Sequence, residues 1–245
     1  MTKTYIILVT IAVVVLGVYF ALPDRHFVDN IFPLHDGATV FEYDDKADGG
    51  SSEVTFALAD SSLSFSCMLG GSEEQSAWCG LLFDVSKWKD AEYRNWTFVD
   101  TLVFDVESHG TKEILVKVWT FDPDVTDIEK PRTFRLLMKE LPLAGGRERI
   151  AIPMEQFYTP DFWFDDEHVD RTLNRRHQET VARVEIAPGW NQPHGKIFSL
   201  KFYSITAKGV SNVFFGALMF IMLGLMIVAI GRTHSYHKDK LESDK

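Results

Sequence analysis

Two long uncharged runs, one near each end of the chain, constrain everything between them. Residues 5–22 (YIILVTIAVVVLGVYFAL) and residues 213–230 (VFFGALMFIMLGLMIVAI) are each 18 residues without a charged side chain. At about 1.5 Å of rise per residue, a helix of either run reaches roughly 27 Å, close to the hydrocarbon thickness of a bilayer. Both are expected to be transmembrane helices. The first has the short basic start of a secretory signal, but its apolar part exceeds a usual signal core and no small-x-small cleavage site precedes Pro23. An uncleaved anchor is the expectation. Lys3 precedes the first run, and Arg232, Lys238 and Lys240 follow the second. The positive-inside tendency then puts both termini in the cytoplasm and residues 23–212 on the opposite side. In a bacterium this is a two-pass protein of the inner membrane with a periplasmic domain.

Charge supports that division. Five of the 25 basic and three of the 35 acidic residues lie outside residues 23–212, which therefore carry 20 basic against 32 acidic residues, a net charge of −12. An acidic domain argues against nucleic acid and anionic lipid as partners. It permits neutral sugars, cations or basic peptides.

Between the runs the pattern is that of strands. In residues 101–124 (TLVFDVESHGTKEILVKVWTFDPD), Leu102, Phe104 and Val106 alternate with Val103, Asp105 and Glu107, and Ile114, Val116 and Val118 alternate with Leu115, Lys117 and Trp119. Period two marks half-buried strands. The glycine-containing connector 108–112 suggests a hairpin pairing the two strands antiparallel. Further strands are expected at 39–43, 53–58, 62–69, 78–85, 133–141, 147–154, 181–187 and 196–208, with a break at 156–178 that has room for a short helix. The expected organisation is a transmembrane helix over 1–22, a linker over 23–35, an all-β jelly-roll β-sandwich over 36–208, a second transmembrane helix over 213–231 and a short cytoplasmic tail over 232–245. Because the last strand runs almost directly into the second apolar run, the two are expected to be mechanically coupled.

Cys67 and Cys79 are the two cysteines, both on apolar faces of successive strands. In an oxidising compartment they can bridge across the turn-rich connector 70–76 and stabilise the fold by about 3 kcal/mol; buried thiols packing as small hydrophobes are the other reading. No paired Cys/His spacing suggests zinc.

Gly80-Leu81-Leu82-Phe83-Asp84-Val85, the strands 101–107 and 113–121, Arg149-Ile150-Ala151-Ile152-Pro153 followed by Phe157, and the closing strand 197–205 together resemble a galactose-binding-like β-sandwich. This is the jelly-roll class shared by carbohydrate-binding modules and the complex I intermediate-associated type of domain. The arrangement of Trp119 to Asp127 followed by Pro160 to Asp166, placed between two membrane helices, also resembles the extracytoplasmic domain of some bacterial membrane sensors, which usually continue into a kinase, cyclase or DNA-binding domain. Here 14 residues follow the second apolar run before Lys245, so output would rely on a signalling partner. The resemblance implies a carbohydrate or other small neutral ligand, and a structural calcium of the kind many such modules hold.

Projecting strand parity outward gives one polar face with Asp105, Glu107, Lys117, Trp119, Arg135, Lys139, Arg183, Glu185, Lys201 and Tyr203. Such a face offers a flat aromatic and polar groups for a sugar; the plainer reading is a solvated sheet with cross-strand ion pairs. A second candidate is Trp163 and Phe164 beside Asp165, Asp166, Glu167 and His168, where Phe162 and Phe164 can also simply plug one end of the sandwich while the acids face water. The expected ligand-binding residues are Trp119, Asp122, Asp124, Arg135, Trp163, Asp165 and Tyr203. Asp122, Asp124 and Asp127 are the candidate calcium ligands, although their loop lacks the glycine and final glutamate of an EF-hand. No G-x-S-x-G, phosphate-binding loop, H-E-x-x-H or dinucleotide fingerprint is present, so the expected role is binding rather than catalysis. The alternative is a structural or assembly factor binding a partner protein in the envelope.

Overall fold

A computed structural model describes residues 2–22, 26–35, 37–59, 61–72 and 76–243. The expected domain start at Asp36, the turn residue Asp60, part of the connector between the two cysteines (residues 73–75) and the last two tail residues lie outside that range. The chain forms two compact units, Met1–Phe27 with Gly209–Lys245, and Val28–Lys208.

In the first unit, α1 (Thr2–Ala21) packs against α3 (Asn212–Ser243). Within them Lys3–Ala21 and Asn212–Ser235, with mean hydropathy 2.5 and 2.8, are long and apolar enough to cross a membrane. Tyr5 near the start of α1 shares a 2.5 Å hydrogen bond with Thr233 near the end of α3, so the pair is antiparallel. A Cβ added to Gly17, Gly216, Gly224 or Gly231 would meet nothing within 4 Å. These glycines therefore do not mediate the α1–α3 contact, although small residues often do so in membranes. Residues 232–243, expected as a tail, continue the α3 helix.

The second unit is a sandwich of two sheets. One has the order β3 (Glu53–Ala59), β4 (Ser62–Met68), β11 (Ile197–Val210), β6 (Val99–His109), β9 (Gly146–Pro153), with β1 (His26–Phe32) also pairing β11. The other has the order β2 (Thr39–Asp44), β5 (Cys79–Asp84), β10 (Val181–Pro188), β7 (Glu113–Thr120), β8 (Arg135–Pro142). Apart from the β3–β4 and β7–β8 hairpins, each step along the chain crosses from one sheet to the other, the connectivity of a jelly roll. Phe65, Phe104, Phe198 and Phe202 from the first sheet meet Leu81, Phe83, Val116, Val118, Val184 and Ile186 from the second, all at most 2% exposed. Each such side chain contributes about 1.5–3 kcal/mol by leaving water.

Three expectations change. β6 and β7 do not form a hairpin; they lie in different sheets. Alternation reports which face of a strand is apolar, and that is satisfied equally by a neighbour in the sheet and by a partner across the core. At the crossing Gly110 has φ +78°, and a Cβ there would stand 2.7 Å from the Ile197 carbonyl oxygen, so glycine is required on both counts. The expected linker contains β1, whose Asp29 accepts the indole N–H of fully buried Trp96 at 2.8 Å. Its alternation is obscured because Ile31 and Phe32 are both buried while Val28 is exposed. Finally, Cys67 on β4 and Cys79 on β5 form a disulfide that joins the two sheets, with Cα atoms 6.6 Å apart, rather than two strands of one hairpin.

Replacing both cysteines by alanine is expected to destabilise the sandwich by about 3 kcal/mol. This is measurable as a lower melting temperature of the full chain; an unchanged melting temperature would mean that the bridge contributes nothing.

Candidate functional site

The site is built on the outer face of the five-stranded sheet. Between β7 and β10 an extra residue, Ala182, lets Val181 sit opposite Thr120 while Arg183 sits opposite Trp119. This bulge resets the alternation. Val181, Val184 and Ile186 are buried, while Arg183, Glu185 and Ala187 share the outer face. Cross-strand register then lays out three rows: Thr39, Asp84, Arg183, Trp119 and Leu136; Phe41, Leu82, Glu185, Lys117 and Met138; Tyr43, Gly80, Ala187, Leu115 and Glu140. Gly80 is required in the third row, because a Cβ there would stand 2.5 Å from the Tyr43 hydroxyl.

The face is partly roofed. Tyr158 pairs with Met138 through two backbone hydrogen bonds of 2.8 and 3.0 Å at the β8 edge. The chain then enters α2 (Asp161–Asp166), which lays Trp163 and Phe164 onto Leu115, Leu136, Met138 and Ala187. The Trp163 indole donates to the Phe134 carbonyl at 3.0 Å, which fixes the roof. What stays open is a cleft along the strands, in two hollows of about 550 and 630 Å³ that share Tyr43, Trp78, Lys117, Phe162 and Asp166. Pro131 and Arg132 stand at one end and Trp190 and His194 at the other. Phe162 is 40% and Trp190 58% exposed, their rings edge to face at 6.1 Å.

Glu185 lies at the centre of the floor. Its carboxylate accepts from the Tyr43 hydroxyl at 2.5 Å, from Lys117 Nζ at 2.6 Å and from the Trp119 indole at 2.8 Å. Burial pushes its pKa up, but the Lys117 charge and these hydrogen bonds outweigh that and hold it below the usual glutamate value. Burial, followed by the charge of Glu185, raises the Tyr43 phenol well above its ordinary value. Beside them Arg183 is enclosed by the rings of Trp88, Trp119 and Phe134, 5.0–5.3 Å from its guanidinium carbon. Burial lowers its pKa from the usual arginine value, against the nearby charges of Asp84 and Glu185.

Among the residues expected at the site, Trp119 and Trp163 do line this cleft. Trp163 is only 3% exposed, so it supports the wall rather than offering a ring face. Arg135 and Asp122 are each 1% exposed and form a buried ion pair with one another through two guanidinium nitrogens. Arg135 pairs with Thr120 on the opposite parity from the outer face, where Leu136 and Met138 stand instead. Asp124 and Asp165 are exposed; Asp165 pairs with Arg171 at 2.7 Å. Tyr203 is on the outer face of the other sheet, donating to Glu107 at 2.8 Å beneath the Arg147 guanidinium. The single polar face inferred from parity is thus two faces on opposite sides of the sandwich. Asp122 accepts from the Asp124 amide as well as from Arg135, while Asp127 pairs with Lys130 at 3.4 Å. Among the described residues no three His, Cys, Asp or Glu side chains gather as a metal site.

Among the cleft residues that parity does not single out are Tyr43, Trp78, Phe162 and Trp190. Trp190 sits in a turn after β10, where alternation carries no signal; its indole is held by Glu140 at 3.3 Å.

No family model and no curated protein matches the chain. Among solved structures it is similar to a family 11 carbohydrate-binding module from Clostridium thermocellum in complex with a β-1,3-1,4-mixed-linked tetrasaccharide, at 11% identity over 76% of this chain and 96% of that one, TM-score 0.49. It is also similar to the family 11 module of a cellulosomal cellulase of the same organism (10% identity, 73% and 94% coverage, TM-score 0.45). A crystallised agarase matches over 78% of this chain and 24% of its own, at 7% identity and TM-score 0.39. The residues of the cleft are assigned from their own geometry.

Two outcomes follow from the buried charges. Because Glu185 has a lowered pKa when folded, the stability it supplies is present above the unfolded glutamate value of about 4.3 and is lost as pH falls through its own lower value. Glu185→Gln should melt lower at neutral pH and show a shallower acid decline than the native chain; parallel acid limbs would contradict this. Asp122→Asn leaves Arg135 buried and unpaired, and should cost about 3–5 kcal/mol in unfolding free energy; a denaturation midpoint within error of native would contradict the pair's importance.

Proposed function

We propose that the chain is a membrane-anchored carbohydrate-binding protein whose cleft on the five-stranded sheet holds a linear saccharide. One observation carries this reading: a shallow open cleft in which the rings of Trp78, Trp119, Phe162 and Trp190 surround a hydrogen-bonding floor of Tyr43, Lys117 and Glu185. Flat rings suit the apolar faces of sugar rings, and a few convergent polar groups suit their hydroxyls. The floor is also balanced in charge, since Lys117 and Glu185 neutralise one another at 2.6 Å. Uncharged hydroxyls can therefore bind at the centre without separating that pair.

In this proposal α1 and α3 span the membrane, both termini are cytoplasmic and the sandwich is on the oxidising side. The basic residues Lys3 and Arg232 and the Cys67–Cys79 bridge support that orientation. Saccharide binding is read as the input of a sensor, with output passing to a partner protein.

The test is thermal unfolding of the full chain in lipid nanodiscs against a panel of neutral gluco-, xylo- and galacto-oligosaccharides. A saccharide that binds only the folded state, at about 100 times its dissociation constant, adds about 2.7 kcal/mol. The upward shift should disappear in Trp119→Ala and in Trp78→Ala, each of which removes a cleft ring. If no saccharide raises the melting temperature, the carbohydrate reading is wrong.

A further inference from the structure

At the Pro131 end of the cleft, Arg183 is 7% exposed and lines the hollow. Its guanidinium has five N–H donors. Among the described residues one hydrogen bond uses them, from Nη2 to the Pro131 carbonyl at 2.7 Å. Nε is buried with no partner among those residues, and the guanidinium lies against the faces of Trp88, Trp119 and Phe134. Asp84 stands opposite in register and Glu185 two residues along the strand, yet neither forms an ion pair with it among the described contacts. Glu185 is taken by Tyr43, Lys117 and Trp119, and Asp84 accepts the Trp88 indole at 3.0 Å. A cation at this depth ordinarily has its own carboxylate.

A second guanidinium is at the same end. Arg132 lines the same hollow and is exposed, and it follows the proline whose carbonyl receives Arg183. No carboxylate pairs with it among the described residues. Asp166 and Glu167 line the same hollow and supply negative charge. They disfavour a uniformly charged polyanion while leaving the two arginines available to a single acidic group.

Resting on the carbohydrate reading above, we propose that the arginine end of the cleft recognises one anionic substituent on an otherwise neutral saccharide. That substituent is the carboxylate of a uronic acid or a sulfate ester. Both present a pair of charge-bearing oxygens, on a planar carboxylate or on a tetrahedral sulfate, that a guanidinium fork meets with two parallel hydrogen bonds. The three-ring enclosure holds Arg183 in one orientation, so little freedom remains to be lost when the anion arrives. The Lys117–Glu185 pair meanwhile serves the uncharged rings next to it.

Binding of the full chain in nanodiscs is measured by calorimetry for matched saccharides: neutral gluco-, xylo- and galacto-oligosaccharides, each alone, with one glucuronic acid substituent, and with one sulfate ester. The acidic form of the bound series should bind about tenfold tighter than its neutral counterpart, the factor expected of one charged hydrogen-bonding contact. That preference should shrink as salt is raised. Arg132→Gln, at an exposed position, should bring the acidic-to-neutral ratio towards one, and Arg183→Lys, which keeps the charge but loses the fork, should do the same. The carboxylate and sulfate arms identify which anion is read. Equal binding of neutral and acidic forms, or a ratio untouched by Arg132→Gln, overturns the anion proposal and leaves the carbohydrate reading standing. Absence of binding in every series overturns both.

Discussion

A carboxylate taken out of water must be matched by donors or it neutralises, and Glu185 is matched by three that come from different places in the chain. Tyr43 is on β2, Lys117 and Trp119 are on β7, and Glu185 itself is on β10. Satisfying this one group fixes the register of β10 against β7 and sets β2 at the correct height on the far side of β5. A slip of one residue would turn Glu185 into the core and place Val184 or Ile186 in the cleft. The bulge at Ala182 completes the arrangement, because it turns Arg183 outward without turning Val181 out of the core.

The cleft then inherits its shape from the unequal covering of that face. On the β8 side the rings of Trp163 and Phe164 seal the apolar residues Leu115, Leu136 and Met138. The Arg135 guanidinium stands 4.8 Å from the Trp163 ring while its charge is met by Asp122. On the β2 side no such helix is laid down among the described residues, and Phe41 stays 41% exposed. Half of the sheet is therefore ordinary core and the other half is a lined groove. The Lys117 and Glu185 side chains at its floor are held by packing and by their hydrogen bonds.

The other sheet shows what the same kind of pattern does without a roof. Tyr203 with Glu107 and Arg147 with Asp105 form two hydrogen-bonded pairs, the second bidentate at 2.9 Å, and the Arg147 guanidinium over the Tyr203 ring joins them. These groups satisfy one another on a solvated face, where ion pairs contribute little to stability. In parity alone they cannot be told from Lys117, Glu185 and Arg183. Burial separates them, and burial here depends on residues 157–170 far along the chain.

The apolar runs, the strand positions and the face of each strand that is apolar follow from the order of residues, because hydrophobicity and its period are local properties. Ten of the eleven strands are legible in this way; β1 is not, since its buried Ile31 and Phe32 are adjacent. Which strands become neighbours is not local. β6 and β7 satisfy the same alternation in one sheet or in two, and Cys67 and Cys79 can meet along a hairpin or across a core. The cleft is the extreme case. Tyr43, Trp78, Lys117, Phe162, Arg183 and Trp190 come from six separate segments. Only the packing of two sheets, together with one short helix laid across one of them, brings these residues to a single surface, because side chains distant in sequence acquire a common environment when the strands between them have been paired.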